Sequence, residues 1–167
     1  RYDNLAGHSN RVHDLALQLA LALGVSQRDR QTVAYAARMH DLGALEDYEA
    51  LFAEGTQLDD AERSALRQRS VEAVKRLLEH AHMPEVTTAL QHLNEYWDGS
   101  GLPDGLAGES IPEASRIVAL ANAYDALIHD RPHRAAYEPD DALHLIRERA
   151  GHQFDPALVR HLEQILT

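Results

Sequence analysis

Val12, Leu15, Ala16, Leu19 and Leu23 return to one face of a helix, and Ile117, Leu120, Ala121, Tyr124, Leu127 and Ile128 do the same later in the chain. This helical period constrains the fold most, because a strand would bury alternate residues instead. Aromatic residues make up only 5% of the sequence, so Leu and Ala must fill the core. Such a composition favours helices over a β-sandwich. The 167 residues suffice for one domain with a buried core, and 44% hydrophobic content fits a soluble globular chain.

Helix boundaries follow from local signals. The first helix is expected over about residues 9–23, stopped by Gly24. Ser26 with Asp29 resembles a capping box opening a helix that runs to His40 and is ended by Gly43. Shorter helices are expected over about 47–53, from Asp59 or Asp60 through Arg67, and over about 70–79. Pro84 opens a helix to about Trp97. Residues 98–112 hold four glycines and two prolines, which excludes a helix or central strand. Long ordered loops of this kind tend to be functional. A helix over about 113–129, a turn at 130–134, and helices starting near Pro139 and Pro156 follow. The expected fold is all-α, one bundle of about eight or nine helices over residues 1–167, with no sheet.

Charge limits the partners. Sixteen Lys and Arg against 27 Asp and Glu give a net charge of −11. That argues against binding DNA or an anionic membrane surface, but leaves room for a local basic pocket for one small anion. Without cysteine there are no disulfides and no thiolate chemistry. The longest charge-free apolar stretch, residues 15–25, is about half a membrane span and contains Gln18. No secretory or transmembrane segment is seen, so a cytoplasmic location without membrane insertion is expected. The chain begins at Arg1, and a piece of a longer signalling protein is expected.

The chemistry rests first on His40-Asp41, which closes an apolar helix carrying Val33, Ala34, Ala36 and Ala37. Adjacent helical residues diverge by about 100°, so an ion off the helix edge can meet both side chains. Imidazole with carboxylate suits divalent zinc, iron or manganese. A hydrolytic centre needs more protein ligands and an open water position. His8, just before the first apolar helix, is the further ligand candidate. His13-Asp14 lies mid-helix and reads as a solvated face. His80, His82, His129, His133, His144, His152 and His161 lack ligand spacing and read as surface or satisfied core residues.

A family resemblance adds to this. Gly7-His8-Ser9-Asn10-Arg11-Val12, His40-Asp41-Leu42-Gly43, Trp97-Asp98-Gly99-Ser100-Gly101-Leu102-Pro103, Ile111-Pro112, Arg116-Ile117, Ala126-Leu127 and Asp130-Arg131-Pro132-His133-Arg134 recur in order and at suitable spacings. The set resembles the HD-GYP branch of the HD-domain phosphohydrolases over nearly the whole chain. The resemblance implies a helical bundle, a bi- or trinuclear metal centre, and hydrolysis of the bacterial second messenger cyclic di-GMP.

On that resemblance, His8, His40 and Asp41 match family ligands. Other family positions are changed: an acidic ligand falls on Asn4, a lysine on Ala44, a histidine on Arg69, two adjacent histidines on Leu93 and Asn94, and a closing aspartate on Asn122. The motif tyrosine falls on Leu102, so GYP reads GLP. His92 sits one residue early, turned about 100° away. Leu93 cannot bind a metal, and Arg69 would put a permanent positive charge nearby. Arg131 and Arg134 align with positions that hold substrate phosphate, which Arg grips through paired hydrogen bonds. Arg69 is expected to join them. The bland alternative for Arg131 and Arg134 is a surface turn paired with Asp130 or Glu138.

The expectation is therefore a degenerate domain with no assigned catalytic residue and little or no phosphodiesterase activity. It carries no cofactor, or a single divalent Fe, Mn or Zn at partial occupancy on His8, His40 and Asp41, with Asn122 as weak help. Its role is regulatory, nucleotide-sensing or protein-interacting. The competing readings are a mononuclear metal phosphodiesterase and a structural dimerisation domain. Expected partners are cyclic di-GMP or a related nucleotide, a diguanylate cyclase domain or other signalling protein, or a second copy forming a homodimer. Trp97, Asp98, Gly101, Leu102 and Pro103 form the expected docking loop. Structurally, Trp97 would pack the core while Gly99 and Gly101 take backbone angles that other residues avoid.

Overall fold

A glycine sets the first corner. Gly24, at φ +71°, lets the chain leave helix α1 (Tyr2–Ala22) and enter helix α2 (Gln27–Met39). Its N–H donates to the Leu21 carbonyl at 3.0 Å, and the Val25 N–H to that of Ala20 at 2.9 Å, the paired bonds of a Schellman stop. Ser26 then caps α2, its Oγ accepting the Asp29 N–H at 3.2 Å, as the capping signal predicts.

The computed structural model describes residues 2–41, 76, 82–130 and 135–166. Helices α3 (Pro84–Gln91), α4 (Glu113–Ile128), α5 (Pro139–Glu148) and α6 (Pro156–Leu166) follow. No strand occurs among the described residues; isolated bridges join Asp98 to Ala107 and Ala150 to Phe154. The all-α class is as expected. The helices expected over 47–53, 59–67 and 70–79, and the stop at Gly43, lie outside the described residues.

Helix α4 touches each of the five other described helices and is the hub of the described fold. Its Ile117, Leu120 and Ala121 are fully buried and join Val12 and Leu19 of α1 and Val33 of α2 in one apolar cluster. Val86, Ile146 and Leu162 bring α3, α5 and α6 into the same cluster. Buried Ser115 ties α4 to α3, its hydroxyl donating to the Ala89 carbonyl at 2.7 Å. No described helix is long and apolar enough to cross a membrane.

Two boundaries differ from expectation. Helix α1 begins at Tyr2 rather than near residue 9, so His8 sits inside a helix and not ahead of one. The helix runs through Gly7, where a Cβ would lie 3.0 Å from Arg11 Nη1. Helix α3 ends at Gln91, short of Trp97. The backbone groups that would extend it are used elsewhere. The Asn94 carbonyl accepts from Leu102 N–H at 3.0 Å, and Trp97 and Asp98 donate to Gln153 and His152 at 3.2 and 3.0 Å.

The segment 98–112 is irregular apart from one 3-10 turn at Gly108–Ser110. Gly99 takes φ +85° as expected. Gly101 does not need an unusual angle; its constraint is space. A Cβ there would fall 2.1 Å from the Tyr96 nitrogen, so loop and turn are in backbone contact.

Candidate metal centre

Packing of α1 against α2 brings His8 to the end of α2, where His40 and Asp41 follow the last helical turn. His8 Nε2 lies 3.2 Å from His40 Nε2 and 3.3 Å from Asp41 Oδ2, and His40 Nε2 lies 3.4 Å from the same oxygen. The three donors thus form a nearly equilateral triangle. A tetrahedral ion with bonds of about 2.0–2.1 Å keeps its donors roughly 3.3–3.4 Å apart. The donor set fits a divalent ion on that measure and on its mixed imidazole and carboxylate chemistry.

The opposite faces of the imidazoles explain the orientation. His40 Nδ1 donates to the Ala37 carbonyl at 2.7 Å, which leaves Nε2 free to face its partners. His8 Nδ1 lies 2.5 Å from Asp125 Oδ2. Arg11, one turn on from His8, grips the same carboxylate: Nε donates to Oδ1 at 2.6 Å and Nη2 to Oδ2 at 3.2 Å. His129 Nδ1 donates to the Asp125 carbonyl at 2.9 Å and sits 3.3 Å from Oδ1.

Electrostatics follow from that network. Burial disfavours the charged form of His8, but hydrogen bonds to Asp125 and Asp41 and their charges outweigh it and raise its pKa to about 9. Burial likewise opposes ionisation of Asp125, yet hydrogen bonds from His8 and Arg11 and their charges lower it to about 2. Without an ion, His8 is therefore an imidazolium at neutral pH, paired to an ionised Asp125.

The resemblance assigns the α4 contribution to Asn122, whereas the side chain that reaches His8 from α4 is Asp125. Asn122 stands three residues earlier on the same helix and is half-buried. The signal was available: Asp125 interrupts the buried stripe of Ala121 and Tyr124, and a buried carboxylate demands a partner. His129, read as a surface or satisfied residue, is part of this network.

The turn after α3 holds no such set at the positions the resemblance assigns. Leu93 packs against the core and Asn94 is exposed. His92 faces the loop instead: Nδ1 donates to the Thr88 carbonyl at 2.8 Å, and Nε2 lies 3.0 Å from Asp104 Oδ2. Buried Glu95 accepts the Asp104 and Leu106 N–H groups at 2.7 and 3.1 Å. Together His92, Glu95 and Asp104 make a second close donor group, with both Glu95 oxygens spent on the backbone.

Within the loop, Trp97 is half-buried with the Arg116 guanidinium 5.7 Å from its ring centre. Arg116 also donates to Asp155 at 2.6 Å. Asp98 is exposed; the Ser100 hydroxyl and N–H, then His152, lower its pKa to about 2. Leu102 is 62% exposed, and its peptide bond to Pro103 is cis. His13 pairs with exposed Asp14 at 2.8 Å, but its own side chain is only 14% exposed, so the solvated face expected for the pair holds for Asp14 alone. Ala44, Arg69, Arg131 and Arg134 lie outside the described residues, as does the side chain of Asn4.

Comparison with known proteins agrees with this architecture. The HD-domain family model matches residues 1–158. A cyclic di-GMP phosphodiesterase response regulator of Xanthomonas campestris is 33% identical, over 93% of this chain and 43% of its own. A 3'3'-cGAMP-specific phosphodiesterase of Vibrio cholerae is 32% identical, over 96% of this chain and 35% of its own. The chain thus spans less than half the length of these relatives. The crystal structure of a cyclic GMP-AMP-specific phosphodiesterase of V. cholerae superposes with a TM-score of 0.75 at 22% identity, covering 95% of this chain and 43% of that one. An HDG"Y"P protein from Bdellovibrio bacteriovorus gives 0.72 at 19%, covering 96% and 52%. The chain therefore belongs to the HD-domain family, in its HD-GYP branch.

Proposed function

We propose that this chain is a cyclic-dinucleotide-responsive signalling module that keeps a single-cation site and has little or no phosphodiesterase activity. One observation carries the reading. Three donors converge at His8, His40 and Asp41, while Leu93 and Asn94 carry neither an imidazole nor a carboxylate, and the neighbouring group of His92, Glu95 and Asp104 has both Glu95 oxygens held by backbone N–H groups. Two-metal activation of a bridging hydroxide needs ligands for both ions.

His8, His40 and Asp41 would hold a divalent Fe, Mn or Zn ion, which would supply Lewis acidity toward a phosphate oxygen when bound. Asn122 offers it weak help. Arg131, Arg134 and Arg69 hold the phosphates of the ligand, which is cyclic di-GMP or a related nucleotide such as the cGAMP named for the V. cholerae relatives. Trp97, Asp98, Gly101, Leu102 and Pro103 present the loop that docks a diguanylate cyclase domain or another signalling protein. The second reading, a mononuclear phosphodiesterase, is favoured by the activities named for the relatives.

Metal analysis combined with a hydrolysis assay separates the two. The expected result is one equivalent of metal or less, no cleavage of cyclic di-GMP or 3'3'-cGAMP with manganese or iron, and calorimetric binding abolished by R131A/R134A. Multiple turnovers in either metal would establish the enzyme instead.

A further inference from the structure

We propose that Asp125 is the positioning residue of this metal centre: it fixes which nitrogen of His8 faces the ion, while Arg11 keeps the Asp125 carboxylate from becoming a ligand itself. The proposal rests on the single-cation reading above and deepens it.

The geometry runs through three helical positions that share one edge. His8 and Arg11 are a turn apart on α1, and Asp125 meets both from α4. The Asp125 oxygens are met by Arg11 Nε and Nη2 and by His8 Nδ1, an arrangement in which Nδ1–H donates to the carboxylate. That leaves Nε2 on the side of His40 Nε2 and Asp41 Oδ2. A carboxylate behind a metal-binding imidazole fixes its tautomer and raises its basicity.

Arg11 completes the arrangement. Its guanidinium spans both Asp125 oxygens, and Oδ2 is shared with His8, so the buried carboxylate turns neither away nor toward the ion. Gly7 makes room for it, since a Cβ would meet Arg11 Nη1 at 3.0 Å. His129 closes the far side of Asp125. A purely structural ion pair between Arg11 and Asp125 would not need the His8 contact.

The test is zinc titration calorimetry on the whole chain for wild type, H8A, D125A and D125N, with D155N as a folding control. Asp155 is buried and ion-paired to Arg116 and is not part of the donor set. D125A should weaken Zn2+ binding about 10- to 100-fold, the usual effect of removing such a partner. D125N should lose less, because its amide oxygen still accepts from Nδ1. Imidazole 15N spectra of the zinc-loaded protein should show one His8 tautomer in wild type and a mixture in D125A. D155N should lower thermal stability and leave zinc affinity unchanged.

Wild-type affinity in D125A, with binding lost in H8A, would overturn the role of Asp125 and leave the cation site standing. Equal losses in D125A and D155N would also overturn it, as a general effect on folding. Absence of zinc binding in wild type would remove the cation site and the positioning role together.

Discussion

Glu95 Oε1 accepts a 2.7 Å hydrogen bond from the backbone N–H of Asp104, nine positions further along the chain. Its other oxygen takes the Leu106 N–H at 3.1 Å, and the side chain is buried. One carboxylate thus organises the middle of the glycine-rich loop. Leaving a buried donor unsatisfied costs about 1–3 kcal/mol. E95A should therefore destabilise the fold by about that amount or more and raise amide exchange at Asp104 and Leu106. E95Q, which keeps one good acceptor, should fall between E95A and wild type.

Stability of the metal-free protein should depend on pH through His8 and Asp125. His8 has its pKa raised from 6.5 to about 9, so its contribution is complete below 6.5 and is lost as pH rises toward 9. Asp125 is lowered from 3.8 to about 2, so its contribution is present above 3.8 and is lost as pH falls toward 2. Urea unfolding across pH should show both losses. H8A should flatten the alkaline limb.

Arg116 and Asp155 form a pair whose side chains are only 14% and 7% exposed. Removing one partner strands the other charge, at a cost of about 3–5 kcal/mol. R116A also strips the cation from the Trp97 ring. Denaturant melts should show a loss in that range. A double variant replacing both charges with apolar groups should recover part of it.

Metal should stabilise the fold by an amount that grows with the logarithm of its free concentration above Kd. Free Zn2+ at about 100 times its Kd raises unfolding free energy by roughly 2.7 kcal/mol when only the native state binds. Thermal melts with zinc and with chelator should differ accordingly in wild type. H40A, lacking one of the three donors, should show little difference between the two conditions.

Much of this molecule can be read from its sequence, and the misses share a cause. Helical spacing marked α4 and the later part of α1 because each buries a continuous apolar stripe, Pro139 and Pro156 marked the starts of α5 and α6, and Ser26 marked the start of α2 by its own chemistry. His8, His40 and Asp41 were legible because their residue types announce metal affinity. Their convergence is fixed by how α1 packs on α2. Asp125 was not found because its role depends on two side chains 114 and 117 positions away. The early end of α3 was hidden for a similar reason: the backbone groups of Asn94, Trp97 and Asp98 bond to the distant Leu102, Gln153 and His152.

Arg116 and Asp125 are carried by the same uninterrupted helix, nine residues apart, which at 1.5 Å per residue is about 14 Å along the axis. One end of this strut is bolted to Trp97 at the root of the loop, the other to the imidazole of His8. The root of the glycine-rich loop and the His8 imidazole are therefore tied to one continuous helix, with no turn between their two points of attachment.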